Sequence, residues 1–96
     1  MRRAARVDAN QAAIVAALRA AGCSVQSLAA IGKGCPDILV GSRGLNWVLE
    51  IKDGAKRPSA RRLTADEQEW HDSWCGTVLI VYTPRDALEA IGLVAA

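Results

Sequence analysis

Ile14, Val15 and Leu18 recur at the spacing of one helical face. Before them, Asp8-Ala9-Asn10-Gln11 has the form of a capping box with Asp8 as N-cap, and Gly22 supplies the stop, so the pattern predicts a helix from Ala9 to Ala21. Weak alternation over Ser24–Ala30 predicts a first strand. Gly32 and Gly34 mark a flexible connector, and Pro36 opens a second strand over Asp37–Ser42, where proline costs least. A third strand follows over Asn46–Lys52. The segment Asp53–Leu63 has few large apolar residues and reads as a basic loop. Thr64-Ala65-Asp66-Glu67 is a second capping box, and it starts a helix running to Cys75 before Gly76. Thr77–Tyr82 is almost wholly apolar, the pattern of a strand covered on both faces. Thr83-Pro84 then opens a last helix through Leu88 and Ile91. The order α-β-β-β-α-β-α predicts a compact α/β domain, one unit spanning residues 1–96.

Composition narrows this picture only a little. Of 96 residues, 51% are hydrophobic and 23% charged, a globular balance that excludes intrinsic disorder. No apolar run in the sequence approaches the length needed to span a membrane. Three cysteines without a C-x-x-C spacing argue against a disulfide framework, and the expected location is the cytoplasm. With no phenylalanine the core is thin, which favours support from a partner subunit or ligand. The net charge of +2 announces no partner by itself, but the basic residues are clustered.

The chemistry lies in the hairpin. A two-residue turn at Arg43-Gly44 sets Asp37 directly opposite Glu50, and the period of two puts Lys52 on the same side. Ile38, Val40, Trp47, Leu49 and Ile51 take the other side as a packing face. Like charges directly opposite one another are destabilising, and partial burial sharpens the conflict or keeps one carboxyl protonated. A divalent cation removes it. Mg²⁺ takes hard oxygen ligands, often only one or two carboxylates with water and substrate phosphate. Lys52 nearby suits the orientation or deprotonation of a water, or neutralisation of charge growing on a phosphate, which together equip the site for phosphodiester hydrolysis.

Pro36-Asp37 followed by Glu50-Ile51-Lys52 resembles the PD-(D/E)XK nuclease motif. Its surroundings, Gly34-Cys35-Pro36-Asp37-Ile38-Leu39-Val40-Gly41, Val48-Leu49-Glu50-Ile51-Lys52-Asp53, and Leu63-Thr64 leading to Gln68 and Trp70, are similar to the VRR-NUC branch with its stand-alone phage and prophage members. The resemblance covers nearly the whole chain. It implies a restriction-endonuclease-like α-β-β-β-α-β core, with a mixed central sheet flanked by helices and a short C-terminal helix. It further implies Mg²⁺ or Mn²⁺ held by Asp37, Glu50 and the Ile51 carbonyl, with Lys52 as the catalytic amine. Gln68 matches the family's glutamine after the motif. Where the family often carries an acidic residue in the first helix, this chain offers Asn10 and Gln11, and Gln11 is the candidate support. Stand-alone relatives imply a homodimer that cuts branched DNA, four-way junctions in particular. A flap-type or broad-specificity nuclease and a catalytically silent DNA-binding domain are the alternatives.

Lys56, Arg57, Arg61 and Arg62 follow the Glu-x-Lys strand and read as a phosphate-backbone clamp that orders on DNA, with Lys33 as a further contact. Arg2, Arg3 and Arg6 extend the surface or form a frayed basic terminus. Trp70 and Trp74 are expected to pack against the sheet or to share in a subunit interface, and His71 to be a partly exposed helix residue. A zinc site from Cys23, Cys35, His71 and Cys75 is the competing metal arrangement, but no close cysteine pair seeds it.

Overall fold

The structure is a computed structural model in which residues 9–94 are described. Asp8 and the Arg2, Arg3 and Arg6 cluster, with the roles proposed for them, lie outside those residues. Helix α1 spans Ala9–Ala20. Gly22 ends it at φ 92°, and the Cys23 N–H returns to the Leu18 carbonyl at 3.0 Å, the longer bond of a glycine-terminated helix. Strands β1 (Ser24–Ser27), β2 (Ile38–Ser42) and β3 (Leu45–Ile51) follow, then the short helix α2 (Pro58–Arg61), α3 (Ala65–Ser73), β4 (Val78–Val81) and α4 (Pro84–Ala90).

The sheet order is β1-β2-β3-β4, with the first two pairings antiparallel and β3-β4 parallel. This mixed sheet flanked by helices, with a C-terminal helix, is the expected architecture. The β2-β3 register runs from Ser42↔Leu45 to Ile38↔Leu49, as the two-residue turn requires. Both turn residues have positive φ, 53° at Arg43 and 79° at Gly44, which matches the twist of the flanking strands. Arg43 is a costly residue there, but its guanidinium donates to the Ile91 carbonyl at the end of α4. Ile38, Val40, Leu49 and Ile51 form a buried face against Ile14 and Leu18 of α1 and Ala87 and Ile91. No helix among the described residues is long and apolar enough to cross a membrane.

Several elements differ from expectation. β1 stops at Ser27 rather than Ala30, because the Ser27 hydroxyl accepts from the Ala29 N–H and the Ile31 N–H turns back to the Leu28 carbonyl. The basic segment is not a bare loop; Pro58 at the first helical position starts the one-turn α2. α3 ends at Ser73, since Trp74 is extended. β4 is not covered on both faces. It lies at the sheet edge, and Ile80 is 39% exposed. Trp70 and Trp74 stack on each other, ring centroids 4.5 Å apart, and Trp74 stays exposed rather than packing on the sheet.

The connector between β1 and β2 rests on the first turn of α3. Gly34 has φ 81°, and a side chain there would overlap the Asp66 carbonyl. Gly34→Ala is therefore expected to lower stability by at least about 1–3 kcal/mol from backbone strain alone, read as the shift in a thermal unfolding midpoint.

Candidate active site

Asp37 closes the open end of the hairpin. Its N–H donates to the Leu49 carbonyl at 3.1 Å, and its Oδ2 accepts the Ile51 N–H at 2.6 Å. Its carboxyl thus takes a backbone donor that the next ladder position would otherwise use. Glu50 lies close enough to Asp37 for the two carboxyls to interact, though the strand pairing itself ends at Ile38↔Leu49. Glu50 is only 2% exposed. Burial pushes the Glu50 carboxyl up to about 9; the hydrogen bond to Asp37 and the charges of Asp37 and Glu67 push the same way, against Lys52. At neutral pH, then, the buried Glu50 carboxyl keeps its proton.

Lys52 lies on the same face, its side chain 12% exposed, and its Nζ donates to Glu67 Oε1 at 2.8 Å. Burial works against its charge, but Glu67, Glu50 and Asp37 outweigh that and raise its pKa. His71 Nε2 stands 3.3 Å from Glu50 Oε1. Burial lowers the His71 pKa against the pull of Glu67 and Asp72, so a neutral ring shares a hydrogen bond with the Glu50 carboxyl. Cys35 also faces this cluster: burial, then Glu50 and Asp37, push its thiol up.

Helix α1 reaches the site through Asn10. Its Nδ2 donates to the Lys52 carbonyl at 3.1 Å and the Tyr82 carbonyl at 2.9 Å, tying the ends of β3 and β4 together, while its Oδ1 is buried without a partner. Gln11 is buried and lines a groove between α1 and β1 with Val15, Val25 and Ile38. Gln68 is exposed on α3 and its amide donates to Asp72. The basic segment leaves β3 directly after Lys52; Lys56, Arg57 and Arg62 are exposed, and Arg61 donates to the Gly54 carbonyl. Lys33 is exposed beside Asp66, Glu69 and Trp70, in an acidic setting.

Sequence reasoning missed two residues that touch the site. Glu67 was legible only as a cap and His71 only as a helix residue; their spacing of four along α3 was the available signal. The residues of the competing zinc arrangement do not converge. Cys23 sits in the core and Cys75 is exposed. Among the described residues no three His, Cys, Asp or Glu side chains form a ready cage. Two hard carboxylates, one buried and neutral only by holding a proton, do fit the smaller ligand set that Mg²⁺ or Mn²⁺ accepts.

The four-stranded mixed sheet flanked by helices, with a C-terminal helix, is consistent with a restriction-endonuclease-like fold of the PD-(D/E)XK type. More particularly, the chain is similar to a solved VRR_NUC domain, with a TM-score of 0.63 and 25% identity, covering 84% of this chain and 88% of that one. Neither a protein-family model nor a curated protein matches the chain.

Proposed function

We propose that the protein is a divalent-metal-dependent DNA endonuclease that hydrolyses phosphodiester bonds. The observation that carries this reading is the buried Glu50 carboxyl set against Asp37, an arrangement a structural ion pair has no use for. Asp37, Glu50 and the Ile51 carbonyl would hold Mg²⁺ or Mn²⁺. The ion would polarise the scissile phosphate and lower the pKa of the attacking water. Lys52, charged and beside both carboxylates, would neutralise negative charge growing on the phosphate as the water attacks and the sugar oxygen leaves. Asn10 keeps the end of β3 in place by its bond to the Lys52 carbonyl. Gln11 and Gln68 would support the site from α1 and α3.

Lys56, Arg57, Arg61 and Arg62 would grip the DNA backbone, with Lys33 at the far side of α3. No helix-turn-helix, homeodomain or finger reader stands in the sequence, which favours recognition by shape over base sequence. A homodimer with two sites on a twofold axis suits paired cuts in branched DNA, and four-way junctions are the substrate we favour. The location we favour is the cytoplasm, and residues 1–96 one folding unit.

A cleavage panel tests this. Four-way junctions, flaps, splayed arms, duplex and single strands are each incubated with Mg²⁺, Mn²⁺ or chelator. Chelator-sensitive, symmetric cuts in the junction are expected. Salt-sensitive binding without nicking under any metal would replace the nuclease by a DNA-binding domain, and equal cutting of plain duplex would remove the junction preference.

A further inference from the structure

We propose that Glu67 is a positioning residue for Lys52, and that α3 acts as the holder of the Glu50 and Lys52 side chains at the site. The inference rests on the nuclease reading for the role of Lys52, but its geometry is independent of that reading. Residues four apart on a helix are about 6 Å apart along its axis, and residues two apart on a strand about 6.6 Å. Glu67 and His71 on α3 therefore match Glu50 of β3 and Lys52, which continues its extended line just past the strand end. The contacts run in opposite directions along the two elements: Glu67 meets Lys52 at 2.8 Å and His71 meets Glu50 at 3.3 Å. Each partner is chemically complementary, a carboxylate for the amine and an imidazole ring nitrogen for the carboxyl.

Glu67 is itself well anchored. Its Oε1 accepts the Lys52 ammonium and also the Thr64 N–H at 2.8 Å, while its own N–H donates to the Thr64 hydroxyl at 3.2 Å. The capping box thus fixes the rotamer of the carboxylate that receives the amine. A four-carbon lysine stem has many conformations, and a single fixed acceptor selects the one that lies over the hairpin end. Burial opposes a charged Glu67, yet Lys52 and Thr64 together hold its pKa below the usual carboxylate value.

Glu67→Gln separates the two roles, because its amide oxygen still accepts the Thr64 N–H while the charge facing Lys52 is gone. The expected result is a fall in kcat of about tenfold or more, as for loss of a group that orients a catalytic residue, with KM for DNA and the melting temperature near wild type. In the same protein, without metal or DNA, acetylation of Lys52 followed by mass spectrometry should run several times faster relative to Lys33. Glu67→Asp, which keeps the charge on a shorter stem, should recover part of both effects. Thr64→Ala, which removes the cap hydroxyl but leaves the amine's acceptor, should lower stability while Lys52 labelling stays slow. Wild-type kcat in Glu67→Gln, or unchanged Lys52 labelling in it, overturns the proposal. If Glu67→Gln fails to fold, slow Lys52 labelling in Glu67→Asp equal to wild type, with full kcat, overturns it instead. A wild-type protein that labels as expected but cuts no DNA removes the nuclease reading and leaves Glu67 as the holder of Lys52.

Discussion

Glu50→Ala, Asp37→Ala and Lys52→Ala are each expected to abolish DNA cleavage while leaving DNA binding largely intact. Removing one preorganised group that stabilises developing charge costs on the order of 10²–10³ in kcat, and loss of a metal-holding carboxylate should cost at least that. The three variants should differ in a telling way. Asp37→Ala also strips the Ile51 N–H of its acceptor, so it should melt lower than the others. Lys52→Ala should retain divalent-ion binding, because the two carboxylates remain. Glu50→Ala should lose it, which isothermal titration with Mn²⁺ reads directly. DNA affinity measured in chelator should be similar in all three, since the basic segment after β3 is untouched. Full cleavage by a folded, pure Glu50→Ala protein would remove the mechanism.

Much of this site was legible because it depends on local geometry. A turn of two residues with positive φ dictates the pairing on either side, and Arg43-Gly44 sits between two alternating apolar runs. The register from Ser42↔Leu45 to Ile38↔Leu49, which brings Asp37 and Glu50 to the same end of the hairpin, then follows with no knowledge of the rest of the fold. Thr64 and Thr83 were legible as caps for the same reason: each side chain accepts from the N–H three residues on. The parts that were not legible depend on how elements pack. The side of α3 that meets β3 cannot be read from α3, whose sequence carries acidic residues at Asp66, Glu67, Glu69 and Asp72 on several faces. Glu67 and His71 therefore looked like solvent residues until the helix was placed. β4 misled in the opposite direction. Its four apolar residues suggested full burial, but α3 reaches Glu50 and Lys52 and leaves Ile80 partly in solvent.

Glu50→Gln is expected to stabilise the metal-free protein above neutral pH, even as it destroys the activity. The reason is the proton that Glu50 must keep. In the unfolded chain this carboxyl ionises near 4.5, whereas in the fold it holds its proton up to about 9. Between those values the native state binds more protons than the unfolded state, so raising the pH favours unfolding. The slope for one group is about 1.4 kcal/mol per pH unit where the protonation states differ fully, and lowered carboxylates such as Glu67 contribute only below this window. The lowered His71 works the other way below its ordinary 6.5, where the unfolded chain binds the extra proton, so thermal midpoints of the chelator-treated wild type should fall from about pH 7 to pH 8.5. Glutamine reproduces the protonated acid: its amide offers hydrogen bonds to Asp37 and His71, with no proton to lose. The glutamine variant should show a flatter profile and cross above the wild type as the pH rises. Adding Mn²⁺ should raise the wild-type midpoint at pH 8, where the ion replaces the proton between the two carboxylates, and leave Glu50→Gln unmoved. Parallel profiles for the two proteins, with or without the ion, would mean that the buried acid carries no such conflict, and the electrostatic case for a metal-dependent nuclease would fail with it.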